Sequence, residues 1–216
     1  MISIDLHTHS VGSPDGSITV DDYRRMLSEN TLQYIAITDH DTIEAACAIQ
    51  SRLGQNIIIG EEITTTEGEI IGLFLKERIT PQQTALATAK AIKAQGGLVY
   101  IPHPFETVRK GITRTALDTI SQLVDIVEVN NGRAVFQNKG PQAATWAKLN
   151  NKAVCASSDA HGAKGLGATY TQIAEAPTVK NLVEQLQNGR LATKRPPLSS
   201  LLYPKLNRVR GKLKRK

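Results

Sequence analysis

Asp5-Leu6-His7-Thr8-His9-Ser10 sets two imidazoles two residues apart, directly after the alternating run Ile2-Ser3-Ile4. Such a run reads as the end of a β-strand. In a strand, residues i, i+2 and i+4 share one face, so Asp5, His7 and His9 point the same way. The two histidine Cα atoms are then about 7 Å apart, and both rings can converge on one metal ion. Asp5, one step behind them, is placed to hold the second nitrogen of an imidazole. A lone His-x-His also fits solvated histidines at a strand end, so the pair needs support from the rest of the chain.

That support comes from the remaining histidines. The chain has five, His7, His9, His40, His103 and His161, and each lies at or just past a strand-like run. His40 stands in Asp39-His40-Asp41, His103 in Pro102-His103-Pro104 and His161 in Asp159-Ala160-His161. Glu62 follows Ile57-Ile58-Ile59, and Glu128 lies inside its own apolar run. In parallel α/β folds the carboxyl ends of the strands form one rim, where active sites gather. A mixture of imidazoles and carboxylates suits Zn²⁺, Mn²⁺ or Fe²⁺. The donors outnumber the needs of one ion, and Glu62 and Asp159 can each bridge two. The expectation is therefore two or three divalent ions, which at such sites generate hydroxide near neutral pH and clamp a phosphoryl group.

The elements that must position these residues alternate. Strands are expected at residues 2–6, 34–37, 57–60, 98–101, 125–129, 152–157 and 169–173, with a hairpin turning at Glu67-Gly68 between 63–66 and 69–75. Helices are expected over 20–30, 42–53, a segment within 113–123, 141–150 and 178–189. Thr80-Pro81-Gln82-Gln83 reads as another helix start, ending at Gly96-Gly97. Residues 162–167 hold three glycines and read as a loop. This alternation predicts an α/β fold with a largely parallel sheet, either a compact barrel or a doubly wound sheet.

At 216 residues the chain can bury one sizeable core. No apolar run approaches the roughly 20 residues that span a membrane. The first residues run into a strand with no basic and apolar leader, which predicts a cytoplasmic protein without a signal peptide. Cys47 and Cys155 form no CxxC pair and are expected as reduced, buried thiols. The formal charge of +6 is uneven. Residues 191–216 carry nine Lys or Arg and no acid, which leaves residues 1–190 with 17 basic against 20 acidic side chains. A mildly acidic body, 1–190, thus precedes a basic tail, 191–216.

Taken in order, Asp5-Leu6-His7-Thr8-His9-Ser10, Ser13-Pro14-Asp15-Gly16, Thr38-Asp39-His40-Asp41, Gly60-Glu61-Glu62-Ile63-Thr64, His103-Pro104, Glu128-Val129-Asn130 and Ser158-Asp159-Ala160-His161 resemble the PHP (polymerase and histidinol phosphatase) superfamily. The likeness runs from residue 2 to about 190. It implies a single distorted βα barrel, TIM-like with about seven strands, and a trinuclear metal site. The ligands it implies are His7, His9, Asp15, His40, Glu62, His103, Glu128, Asp159 and His161. Asp15 comes from the resemblance alone, since Asp-Gly is first a turn signal. The implied activity is that of a metal-dependent phosphoesterase, a hydrolase acting on a small phosphorylated metabolite or nucleotide through a metal-bridging hydroxide. Asp159 is expected at the reacting centre, with His103 or His161 as general acid if not fully engaged as a ligand. Exonuclease-like cleavage of short oligonucleotides is the alternative activity, and a non-catalytic nucleic-acid-binding module is the alternative class. Complete ligand positions favour the enzyme. Where many phosphatase-like members carry a histidine, this chain has Glu69, which either approaches the site or is an exposed strand residue, the simpler expectation.

Substrate-facing cations are expected at Arg133, Arg109 and Lys164, each on a stretch leaving the rim. Arg133 leads, because Asn-Gly-Arg after a strand end aims a long fork back over the pocket. In the tail, Leu198, Leu201, Leu202, Leu206, Val209 and Leu213 recur at nearly helical spacing, interrupted by Pro204. Three readings stand: a solubilising tail or docked helix, weak contact with a nucleic-acid backbone, or contact with an anionic membrane surface. Five tyrosines, three phenylalanines and one tryptophan are too few for a base-stacking platform.

Overall fold

In the computed structural model, which describes residues 1–135 and 137–214, nine strands form one sheet. Chain order is β1 Ile2–Asp5, α1 Val20–Ser28, β2 Tyr34–Ile37, α2 Glu44–Leu53, β3 Ile57–Thr65, β4 Gly68–Leu73, α3 Ala85–Ala94, β5 Leu98–Ile101, α4 Arg114–Thr119, β6 Ile126–Asn131, α5 Gly140–Leu149, β7 Ala153–Ser157, β8 Thr169–Ile173, α6 Leu182–Gln187, β9 Arg190–Thr193 and α7 Tyr203–Lys214. Across the sheet the order is β7-β6-β5-β4-β3-β2-β1-β8-β9. The β1–β2–β3 and β5–β6–β7 runs are parallel, whereas β4, β8 and β9 pair antiparallel.

The sheet curls into a nearly closed, distorted α/β barrel. Its closure lies at the carboxyl rim. Thr8, just past β1, bridges Ala160, just past β7, through His9 N–H to the Ala160 carbonyl (2.8 Å) and Asp159 N–H to the His7 carbonyl (2.9 Å). The strand count exceeds the expected seven because β4 is a full strand of the hairpin and β9 adds a short strand after α6.

One apolar layer packs α1 and α2 outside β2 and β3, around Tyr23, Ile35, Ile37 and Ile57. Another packs α3, α4 and α5 against β4–β6, around Ile92, Leu117, Val127 and Trp146. Helix starts follow local chemistry. Thr19 and Asp22 form a capping box on α1, and Thr84 and Thr113 cap α3 and α4. The helix expected from Thr80-Pro81 starts instead at Ala85. Gln82 adopts φ 62, its N–H binds the Thr64 carbonyl (2.7 Å), and the Gln83 carbonyl accepts from Thr66 N–H (3.0 Å). The segment is held against the hairpin, and this pairing outcompetes the local cap signal.

Strand alternation then decides which acid enters the barrel. Glu62 shares the face of Ile58 and points to the rim, and Glu61 points the opposite way. Glu61 is buried beneath the β4–α3 connection, accepting from Ile79 N–H (2.8 Å), with Arg78 at 3.9 Å. Burial pushes its carboxyl from the ordinary 4.5 up to about 7, against the Ile79 N–H and Arg78. The folded protein therefore holds this proton more tightly than the unfolded chain. The associated stability is complete below about pH 4.5 and declines as pH rises through about 7. Glu61→Gln keeps the acceptor and removes the ionisation cost. Its melting temperature should exceed that of the parent by roughly 3–6 °C at pH 8, with the gap closing by pH 4, as read by thermal denaturation.

Candidate metal centre

The parallel strands deliver the site residues at or near their carboxyl ends. His7 and His9 follow β1, His40 follows β2, Glu62 sits in β3, His103 follows β5, and Asp159 and His161 follow β7. Backbone bridging continues past the strand ends and fixes this rim. His40 pairs with Glu62, with Glu62 N–H bound to the Asp39 carbonyl (3.1 Å) and Asp41 N–H to the Glu62 carbonyl (3.0 Å). Two site residues hold left-handed backbone, His103 at φ 29 and Asp159 at φ 51. For non-glycine residues this costs on the order of 1 kcal/mol and is retained where the surroundings enforce it.

Glu62 stands at the middle. One of its oxygens lies 3.3 Å from His7 Nε2, 3.2 Å from His9 Nε2 and 3.4 Å from His40 Nδ1, and the other lies 3.0 Å from His103 Nε2. His7 Nε2 and His9 Nε2 are themselves 3.1 Å apart. Asp159 Oδ1 lies 3.7 Å from His7 Nε2 and 3.6 Å from His9 Nε2. Asp15 Oδ1 lies 3.8 Å from His40 Nε2 and 3.6 Å from His161 Nε2. Among the described residues, donor atoms within 4.8 Å of one another form four overlapping groups: His9/Asp15/His40/His161, His7/Glu62/His103, His7/His9/Asp159 and His40/Glu62/Glu69.

The imidazoles are oriented from behind. Ser13 Oγ lies 3.3 Å from His9 Nδ1, and the Asp159 carbonyl lies 2.9 Å from His161 Nδ1. A proton on the rear nitrogen leaves the front lone pair for a cation. Glu128 does the same for His7. Its Oε1 lies 3.2 Å from His7 Nδ1 and accepts from Tyr100 Oη (2.6 Å), and its Oε2 accepts from His103 N–H (2.7 Å) and Asn131 Nδ2 (2.8 Å). Both oxygens are spent, so the geometry sets Glu128 behind His7 rather than among the converging ligands. Asp5 does not hold an imidazole, as its position suggested. Its Oδ1 accepts from the Ser158 and His7 backbone N–H groups, and burial pushes its carboxyl up to about 7.

Glu69 corrects the expectation of an exposed strand residue. It is buried on β4, 3.8 Å from His40 Nδ1 and 3.9 Å from His103 Nε2, with Lys110 at 3.7 Å. Burial and the neighbouring Glu62 charge push it up to about 9, against Lys110. The alternation Glu69-Ile70-Ile71 was the available signal, because Glu69 shares the face of Ile71, whose partner across β3 is Glu62. Lys164 is corrected too. It is exposed on the turn 162–166, which buries Leu166 and sends Lys164 outward, away from the cavity. Arg109 and Arg133 do line the cavity, of about 360 Å³, and both reach Asp159 at 3.2 Å. Arg109 also binds Glu106 and Asn131.

The electrostatics ask for cations. Burial alone would raise Asp159, yet Arg133, His7, His161 and Arg109 hold it well below the usual carboxylate range. Burial opposes Asp15 and Glu62 likewise, and the surrounding imidazoles hold both low. Burial, His9 and Arg133 drive His161 down to about 3, which leaves a neutral ring. Asp15 Oδ1 and His103 Nδ1 are buried with no hydrogen-bond partner. Ionised carboxylates and the neutral His161 ring, converging on one space with Asp15 Oδ1 left unpaired, are a donor set that divalent ions complete.

Cys47 and Cys155 are free thiols, and burial pushes both up, which makes them poor nucleophiles. No helix among the described residues is long and apolar enough to cross a membrane. The tail is docked. Pro204 falls in the first turn of α7, where proline is tolerated, and α7 lies on the rim, with Pro204 and Arg208 lining the cavity. Arg215 and Lys216 lie outside the described residues.

Three comparisons bear on this arrangement. A family model described as PHP-associated matches residues 140–191. Two uncharacterised proteins of Methanocaldococcus jannaschii are relatives. MJ1587 is 36% identical, covering 62% of this chain and 86% of its own length. MJ0417 is 30% identical, covering 81% of this chain and 71% of its own. Among solved structures, a two-domain protein containing a predicted PHP-like metal-dependent phosphoesterase, from Bacteroides vulgatus, superposes with TM-score 0.72 at 21% identity, over 96% of this chain and 69% of that one.

Proposed function

The chain belongs to the PHP superfamily, and on that premise we propose that it hydrolyses a phosphate ester of a small metabolite or nucleotide. The observation that carries this reading is the convergence of five imidazoles with Asp15, Glu62 and Asp159 on one rim cavity. His7, His9, Asp15, His40, Glu62, His103, Asp159 and His161 would hold two or three divalent ions, Mn²⁺, Zn²⁺ or Fe²⁺, with Glu128 orienting His7. Such ions supply Lewis-acid charge to a phosphoryl group and lower the pKa of water. The catalytic unit is the barrel of residues 1–190, to which 191–216 adds a basic extension.

The chain's own groups have separable tasks. Glu62 holds four rings in place at once. Arg109 and Arg133 fix both oxygens of Asp159 and bring positive charge to the cavity wall, where a phosphate dianion would rest. Glu128 and Ser13 set the ring orientations of His7 and His9. His161 is neutral and has its rear nitrogen engaged, so it serves as a ligand and not as a proton donor. His103 is then the remaining candidate for moving a proton to the leaving oxygen where it is not engaged as a ligand.

Protein stripped with chelator and reloaded separately with Mn²⁺, Zn²⁺ or Fe²⁺ tests this reading. The panel spans nucleoside monophosphates, 3′,5′-bisphosphates, histidinol phosphate and short oligonucleotides, with elemental analysis alongside. The expected result is two or three ions per chain and phosphate release only from reloaded protein. Full activity in stripped protein would refute it. Preferential oligonucleotide cleavage would move the substrate to nucleic acid.

A further inference from the structure

The C-terminal helix is fastened to the metal rim by three consecutive groups of contacts. The Tyr203 ring lies over Gly162, where a Cβ would come within 2.7 Å of it. Asn207, buried, donates from Nδ2 to the Asp15 carbonyl (2.8 Å) and the His161 carbonyl (3.2 Å). Arg208 Nη2 lies 2.5 Å from Asp15 Oδ2. Asp15 thus divides its oxygens. Oδ2 takes the guanidinium, and Oδ1, buried and without a hydrogen-bond partner, faces His40 and His161.

Arg208 also differs from the other arginines of the cavity. The side chains of Arg109 and Arg133 are 11% and 19% exposed and are committed to Asp159. Arg208 is 62% exposed, lines the same cavity, and uses one edge of its fork on Asp15. A guanidinium has five N–H donors in a rigid plane. One edge anchored by a carboxylate leaves another, already oriented, for an anion.

We propose that Arg208 is a substrate-binding residue supplied by the C-terminal helix, which donates its open guanidinium edge to a phosphate oxygen of the substrate at the cavity mouth. This rests on the phosphoesterase reading above. The helix is then a wall of the active site, and the basic tail has a local electrostatic partner in the anion that enters beside it.

The test uses the full-length chain loaded with Mn²⁺, with inorganic phosphate as the probe in titration calorimetry and metal content measured on every sample. Arg208→Ala and Arg208→Gln should weaken phosphate binding about tenfold, the scale of one charge-assisted hydrogen bond, at unchanged metal stoichiometry. Gln retains reach toward Asp15 and lacks the charge. Arg208→Lys should fall between them and the parent, because it keeps the charge and loses the fork. Lys205→Ala, exposed on the same helix and outside the cavity lining, should bind phosphate as the parent does. With any substrate found in the panel, Arg208→Ala should raise KM more than it lowers kcat. Parent-like phosphate affinity in Arg208→Ala and Arg208→Gln overturns the inference, as does a loss confined to metal content, which would make Arg208 only an anchor for Asp15. Failure of the Mn²⁺-loaded parent itself to bind phosphate overturns the phosphoesterase reading and this inference with it.

Discussion

Asp159→Asn should lose turnover by at least about 10²-fold, the scale already reached by removing mere supporting partners of metal ligands, and should lose bound metal in parallel. Asparagine is the informative choice. Asp159 holds φ 51, a conformation that asparagine adopts readily and alanine resists, so the variant removes charge without adding backbone strain. It also leaves Arg109 and Arg133 without the carboxylate both of them reach. Removing one partner of a largely buried ion pair costs on the order of 3 kcal/mol. A lower melting temperature should therefore accompany the metal loss. Elemental analysis and melting of the same sample measure both. Parent-like metal content with parent-like activity would remove Asp159 from the site.

The second large effect separates a ligand from its support. Glu62→Gln keeps the shape of the side chain and removes the negative charge facing His7, His9, His40 and His103. Since Glu62 touches all four rings, its loss should reduce metal occupancy below detection after dialysis and abolish turnover. Glu128→Gln removes a charge of the same kind 3.2 Å behind His7, and there the expected loss in metal affinity is only about 10–100-fold. Titration of both stripped variants with Mn²⁺ gives the ranking. Equal losses would mean that Glu128 moves in as a ligand when metal is present, contrary to its four hydrogen-bond commitments in this structure.

The barrel was legible because its signals are local and repeated. Apolar runs mark the parallel strands, and each carries a histidine or carboxylate within it or two to four residues past its end. Three features needed the third dimension. Glu69 reads as an ordinary polar strand residue until the hairpin register sets it on the face of Ile71, opposite Glu62. The spacing that recommends Glu128 as a ligand is silent on how many donors surround it, and Tyr100, Asn131 and the His103 backbone, from two other segments, exhaust its oxygens. Arg208 lies 193 residues from Asp15, in a basic stretch whose spacing allows a solubilising tail, a docked helix or an anion-contacting surface alike. No local pattern encodes that pairing.

The bridge between Thr8 and Ala160 sets the order in which the molecule can be assembled. β1 finds a parallel neighbour early, in β2, but its other edge waits for β8, and its carboxyl end waits for the residues after β7. A ribosome must deliver about three quarters of the chain before His7 and His9 meet Asp159. Pairings this far apart in sequence are slow to form, because the loop must close before the contact rewards it. The metal rim is therefore a late product of folding. A chain arrested before residue 159 would expose imidazoles and Glu62 without their partner carboxylate, and binding of metal by the finished rim would favour the closed barrel over its open precursor.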